Sequence, residues 1–336
     1  MSRIAVVGTG AWGTALALAL AKRGGHTITL LARSEATASA ILKQRENTMF
    51  LPGFAIPAEV GVTADARAAL TDAEIVVSAV PSQYIRPTLR GLAPHLNPHQ
   101  VLVSTTKGIE DGSFLRMSEL IAATLAQSGL KLDCGALSGP SFAQEVASGF
   151  PTAVTIAFEE PALAGRIQRE FSSRSLRLYT NEDVIGVELG GALKNVIAIS
   201  AGIVAGLGLG HSSAAALMTR GIAEITRLAV ACGGRRETLA GLSGIGDLVL
   251  TCTGALSRNR AVGVGLGQGS SLAQTLAGLN GKVAEGVRTT SAALGLARQH
   301  GVEMPITEQM EAILHHGKAP LDAIQELMGR PGRDEQ

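Results

Sequence analysis

Ile4-Ala5-Val6-Val7-Gly8-Thr9-Gly10-Ala11-Trp12-Gly13 decides how this chain folds. A short apolar run enters G-x-G-x-x-G, and a helical apolar period follows over 14–23. Gly8, Gly10 and Gly13 then permit a tight turn, close approach of a pyrophosphate, and close packing of helix on strand. The helix N-terminus would face the anion with unpaired N–H groups. A lone glycine pattern is a weak signal. Here it opens the chain, follows a strand, starts a helix and leads to a second β-branched run at 28–31. That context makes it the nucleotide-binding turn of a Rossmann-type sheet. It also argues against a secretory signal over 4–21, because the glycines break the apolar run.

Working outward, further apolar runs lie at 75–80, 101–104, 135–138, 153–157 and 176–179, with amphipathic stretches at 84–92, 115–126 and 161–171. Continuously apolar strands alternating with helices predict a parallel sheet covered on both faces. After residue 182 long Ala/Leu/Gly-rich helical periods take over. The expected class is α/β. A doubly wound, nucleotide-binding Rossmann domain spans 1–182, an all-α substrate domain 183–330 and a flexible polar tail 331–336.

The chain has 336 residues and a formal net charge of +1, without a basic stripe or charge block. That size suits two domains, and that balance excludes nucleic acid and membrane surfaces as expected partners. Three cysteines (Cys134, Cys232 and Cys252) without CxxC suggest buried free thiols, with neither a disulfide framework nor a zinc site. His211, His315 and His316 lack metal-ligand spacing, so no metal is expected. The apolar stretch 189–218 contains Lys194, Asn195 and repeated glycines, which fits a buried helix better than a membrane span. A cytoplasmic protein is the expectation.

Lys194 is the most unusual residue. No other Lys, Arg, Asp or Glu follows it until Arg220. A lysine in such apolar surroundings must shift its pKa or find a partner. On a helix its own face carries Gly190, Gly191, Ala198 and Ala201, small residues expected to leave room beside the ammonium for a ligand. A lysine that snorkels to the surface, or one neutralised by a nearby carboxylate, is the plainer alternative. At the end of the second strand stands Arg33, where an NAD-binding chain usually has a carboxylate. A guanidinium suits a 2′-phosphate, so NADP(H) is favoured over NAD(H).

Strand ends in doubly wound sheets line the ligand crevice. Here they are small and polar except for Lys107, a candidate ligand for a substrate carbonyl. Asp247 follows Gly244-Ile245-Gly246 and reads either as a site carboxylate or as a helix cap. Ser257-Arg258-Asn259-Arg260 reads as an anion pocket or an ordinary basic first turn.

These stretches, with Gly-Thr-Gly-Ala-Trp-Gly-Thr-Ala at 8–15, Phe50-Leu51-Pro52-Gly53, Thr106-Lys107-Gly108-Ile109-Glu110, Ser138-Gly139-Pro140-Ser141-Phe142-Ala143, Gly-Val-Glu-Leu-Gly-Gly-Ala-Leu-Lys-Asn-Val at 186–196 and Glu285-Gly286, carry a resemblance. The chain resembles the bacterial NAD(P)-dependent sn-glycerol-3-phosphate dehydrogenases over almost its whole length. The resemblance implies reversible reduction of dihydroxyacetone phosphate to sn-glycerol 3-phosphate for phospholipid synthesis, with a homodimer compatible. It implies Lys194 as the proton donor and acceptor, and Lys107 as a contact to substrate and cofactor. Gly139, Ser141, Asp247, Ser257, Arg258 and Asn259 match substrate positions. Ala11, Trp12, Arg33, Ala143, Arg258, Val283 and Glu285 match cofactor positions. The family usually reads Asp-Gly-Leu-Gly where this chain has Ala205-Gly206-Leu207-Gly208, and often has Asn near Ser212 or Ser213. Those departures put the hydrogen bonding of Lys194 in question. A lysine-using β-hydroxyacid dehydrogenase and an inactive NADP-binding redox sensor are the competing functions.

Overall fold

Ala5 and Val7 of the opening strand face one apolar cluster, and Ile4 and Val6 face another. That alternation, buried on both sides, makes the strand the centre of a three-layer structure. The computed structural model describes residues 2–279, 283–332 and 334. Part of the expected tail (333, 335 and 336) lies outside them.

The strands are β1 (Ser2–Val7), β2 (His26–Leu31), β3 (Glu46–Asn47), β4 (Leu51–Ala55), β5 (Gly61–Thr63), β6 (Ile75–Ser78), β7 (Val101–Ser104), β8 (Asp133–Ser138), β9 (Thr152–Ala157) and β10 (Leu176–Asn181). Among the described residues eight form one sheet in the order β10-β9-β8-β7-β6-β1-β2-β5, and β3 and β4 form a separate ribbon. From β1 the chain steps outward to β2 and β5, then returns to β6 on the other side. This reversal opens a crevice beyond the carboxyl ends of β1 and β6. The helices Ala11–Arg23 and Pro161–Phe171 cover one face, and Ile85–Leu92 and Met117–Ala126 the other.

The sheet departs from the expected all-parallel one at β8 and β9, which pair antiparallel. Only a six-residue helix, Ala143–Ser148, lies between them. It rises about 9 Å, while a strand of β8's length spans roughly 20 Å. The chain therefore re-enters the sheet from the edge it left.

After β10 the pattern is helical. The helix Val184–Gly206 runs through the centre of the second half, capped by Asp183, whose Oδ1 accepts from Gly186 N at 2.8 Å. It is the single helix among the described residues long and apolar enough to cross a membrane, and 89% of its most apolar window is buried within the protein. Burial of each large side chain along it contributes roughly 1.5–3 kcal/mol. Its far end meets the helix Arg258–Gly267 backbone to backbone. A Cβ at Gly263 would lie 1.9 Å from Ile199 O, and one at Gly202 would lie 2.1 Å from Arg260 O. The three cysteines are unpaired, Cys252 buried and the others half-buried.

This seam predicts opposite outcomes for two glycines. Gly263→Ala is expected to lower stability by roughly 3 kcal/mol, since the overpacked atom meets backbone. Gly91→Ala, at an exposed position of the helix Ile85–Leu92 with nothing within 4 Å of the added Cβ, should gain roughly 0.5–1 kcal/mol. Urea denaturation of both variants checks the contrast.

Candidate active site

The crevice begins with the glycine turn. Gly8 has φ +108°, and a Cβ there would lie 2.9 Å from Ala79 O, so only glycine lets β1 pass this close to the end of β6. A Cβ at Gly10 would meet nothing within 4 Å. The helix that starts at Ala11 has neither a side-chain cap nor an acidic residue in its first turn. Its first N–H groups therefore have neither a side-chain cap nor a carboxylate of their own helix beside them, which fits a dinucleotide pyrophosphate. Ala11, Trp12 and Ala143 pack against one apolar cluster at this rim. Arg33 is exposed just past the carboxyl end of β2.

Lys107 is delivered by the segment after β7. Thr105 Oγ1 donates to Ser78 O at 2.9 Å and Thr106 Oγ1 to Val80 O at 2.7 Å, which tie that segment to the end of β6. Lys107 Nζ then donates to Gly139 O at 3.3 Å and to Asp247 Oδ2 at 2.6 Å. From the second half, Lys194 Nζ donates to Asp247 Oδ1 at 2.5 Å and to Thr251 Oγ1 at 2.7 Å. Two ammonium groups thus share one carboxylate. The Asp247 side chain is 1% exposed, Lys194 7% and Lys107 19%, so Lys107 is the outward end of a cluster with net positive charge.

Burial holds the Lys194 ammonium below the ordinary lysine value, at about 8. Asp247 opposes that shift and Lys107 adds to it. The cluster is therefore cationic but close to releasing a proton. Asp247 begins the helix Asp247–Thr253, but its carboxylate serves the lysines, so the cap reading does not hold. Ser257 is a cap: its Oγ accepts from Arg260 N at 3.2 Å, opening the helix that carries Arg258 and Asn259.

Around this centre, Ser141 Oγ donates to Gly139 O at 3.0 Å. Asn259 Nδ2 donates to Asn195 Oδ1 at 2.9 Å, while Gly286 N donates to Asn259 Oδ1 at 3.0 Å. Three chain segments therefore meet next to Lys194. Val283 is half-buried just before Glu285, the first residue of the helix Glu285–Gln299. Burial pushes the Glu285 carboxyl up, while Arg258, Lys107 and Lys194 pull it down, so it shares the field of the cationic cluster.

The model of the NAD-dependent glycerol-3-phosphate dehydrogenase N-terminus matches residues 3–164, and that of the C-terminus matches 183–325. The chain belongs to this family. It is 60% identical to the glycerol-3-phosphate dehydrogenase [NAD(P)+] of Acidobacterium capsulatum, covering 100% of both chains. It is 58% identical to that of Koribacter versatilis, over 100% of this chain and 99% of the relative. The crystal structure of glycerol-3-phosphate dehydrogenase from Coxiella burnetii superposes with a TM-score of 0.92 at 36% identity, covering 98% of this chain and 99% of that one.

Within the dehydrogenase frame, two expectations need correction. The space beside Gly190 and Gly191 is filled by protein: Cβ atoms there would lie 2.6 Å from Ser243 O and 2.5 Å from Ser138 Oγ. The small residues let neighbouring segments close on the helix, rather than leaving a ligand gap. Nor does Ala205 bear on Lys194. It is exposed, eleven residues further along the same helix, about 16 Å away at 1.5 Å per residue. Ser212 and Ser213 are exposed on the next helix, His211–Ala231.

Sequence reasoning missed Thr251 and Asn47. Thr251 lies four residues after Asp247 and so on its helix face, a spacing that could have signalled it. Asn47 Nδ2 braces the glycine turn, donating to Thr9 O at 2.7 Å and Thr14 Oγ1 at 2.8 Å across a sequence gap no local pattern reveals. Among the described residues no group of three or more His, Cys, Asp or Glu is placed to hold a metal ion.

Asp247→Asn tests the electrostatics. It leaves two ammonium groups together without their countercharge and is expected to cost about 3–5 kcal/mol near neutral pH. The folded pKa of Lys194 then falls further below that of the unfolded chain. The unfolded state binds more protons between those values, so stability must rise with pH across that window. Thermal melts from pH 7 to 10 that show no recovery would contradict this account.

Proposed function

We propose that this chain catalyses the reversible NAD(P)H-dependent reduction of dihydroxyacetone phosphate to sn-glycerol 3-phosphate, with residues 1–182 as the cofactor domain and 183–330 as the substrate domain. The observation that carries this reading is the pair of lysines on one buried carboxylate at the mouth of the nucleotide crevice. The nicotinamide, when bound, supplies or accepts the hydride. Everything else falls to side chains of the chain itself.

Each ammonium has three N–H donors. Lys194 spends two on Asp247 and Thr251, and Lys107 spends two on Asp247 and Gly139. One donor on each remains for a substrate oxygen. Lys194 supplies the proton to the oxygen of the reduced carbonyl, and Lys107 stabilises the charge that develops there. Asp247 holds both in position, and a lysine value of about 8 lets Lys194 serve both directions near neutral pH. Arg258 and Asn259 bind the phosphate, with Ser257 fixing the helix start that presents them. Gly139 and Ser141 complete the substrate wall. Ala11, Trp12, Arg33, Ala143, Val283 and Glu285 border the cofactor, and Arg33 favours NADP(H) through its 2′-phosphate.

Lys194→Ala should lose roughly 100- to 10,000-fold in kcat with NADPH binding retained, whereas Arg258→Ala should act mainly on KM for the phosphorylated ketone. Near-normal turnover by Lys194→Ala would refute the proton role. Reduction requires the ammonium, so its kcat should fall as pH rises through about 8, while oxidation of glycerol 3-phosphate should rise over the same range. Assays with NADPH and NADH against dihydroxyacetone phosphate and small oxo acids test the substrate and cofactor together. Turnover of oxo acids alone would favour a β-hydroxyacid dehydrogenase, and a tenfold preference for NADH would overturn the role given to Arg33.

A further inference from the structure

Glu188 is a buried carboxylate on the same helix as Lys194, six residues earlier, and the chemistry above makes no use of it. Its side chain is 3% exposed, and all its partners come from the other half of the molecule. Arg116 Nη1 donates to Oε2 at 2.7 Å, Ser118 N to Oε1 at 2.7 Å and Ser118 Oγ to Oε2 at 2.8 Å. Three donors on one buried carboxylate form a tie that is costly to break.

The tie holds the loop that carries Lys107. Ile109 and Arg116 form an antiparallel bridge, Glu110 N donates to Leu115 O at 2.9 Å and Phe114 N to Glu110 O at 3.0 Å. Residues 109–116 are therefore a closed hairpin, with Lys107 just before one arm and Arg116 ending the other. On the sheet side, Arg86 grips Glu110 through two bonds of 2.8 and 2.6 Å. On the helical side, Ile109 belongs to the apolar cluster around the Lys194 helix. The Phe114 ring fills the place of a side chain at Gly295, where a Cβ would approach it to 2.2 Å. The hairpin belongs to the sheet half by sequence and is clamped into the helical half by contact.

We propose that Glu188 is a positioning residue that acts through this hairpin, fixing Lys107 relative to Lys194 so that both ammonium groups reach Asp247. The proposal rests on the catalytic reading of Lys107 given above. Lys107 and Asp247 are 140 residues apart, so their contact depends on the register between the two halves. Glu188 anchors that register on the helix that carries the other lysine. A shift of about 1 Å in a positioned group can cost about 100-fold in rate.

The test is a double-mutant cycle with Glu188→Gln and Lys107→Ala, read as kcat/KM for dihydroxyacetone phosphate, with NADPH affinity measured in parallel. Gln keeps the size and one acceptor oxygen, and Arg116 retains Glu119 at 2.7 Å as a second carboxylate partner. Glu188→Gln alone should lose between about 10- and 100-fold, a loss larger than any fall in NADPH affinity. In the Lys107→Ala background it should change kcat/KM by less than about twofold, as expected for coupled positions. An equal fractional loss in both backgrounds, or no loss in the parent, overturns the proposal. Should Glu188→Gln fail to fold, Ser118→Ala replaces it: a smaller loss that vanishes without Lys107 supports the proposal, and one that persists refutes it. Absence of dihydroxyacetone phosphate turnover by the parent enzyme would instead refute the underlying function.

Discussion

One carboxylate buried between two ammonium groups is the constraint from which the rest of this structure follows. Asp247 is 1% exposed, and an isolated charge there would be untenable. It is stable only because Lys107 arrives from the sheet and Lys194 from the central helix. Neither half of the chain could bury its share alone. The two halves are thus joined where opposite charges meet, and the cluster keeps a residual positive charge. On the proposed function, the three side chains that meet this electrostatic requirement would also supply the positioned acid.

Much of this was legible in the chain, for identifiable reasons. The glycine turn, the parallel strands and the change to helices near residue 182 depend on local periodicity, which a single sequence displays. Lys194 stood out because an isolated charge in an apolar helix is an energetic anomaly wherever it occurs. The partners of that charge were less visible. Asp247 admitted two readings until the fold brought it to both lysines. Asn47 and Glu188 act across the fold, 33 to 72 residues from their partners, and carry no local signature. The reversal of β9 and β10 was missed because an apolar strand pattern is the same in either direction. Only the shortness of the preceding helix separates the two outcomes.

The departures from the family pattern illustrate the same limit. Ala205 follows the lysine in the same helix, and sequence proximity made it a suspect for tuning the proton donor. Three turns of helix separate them in space, and what shifts the lysine is first its burial, then Asp247 and Lys107 beside it. The small residues near Lys194 were likewise misread. Glycine in a helix face permits close approach, and sequence alone does not say whether ligand or protein will approach.

The backbone seam between the helices Val184–Gly206 and Arg258–Gly267 has a consequence for molecular measurement. Contacts made through side chains can be readjusted by changing rotamers, whereas contacts between carbonyl oxygens and glycine Cα atoms cannot. Lys194 rises from one of these helices and Arg258 begins the other. Their spacing is set by main-chain geometry, and on the function proposed above it would not relax for a longer or shorter molecule. On the function proposed above, selection by length would thereby be built into two helices that touch at their glycines, before any side chain reads the chemistry of what lies between them.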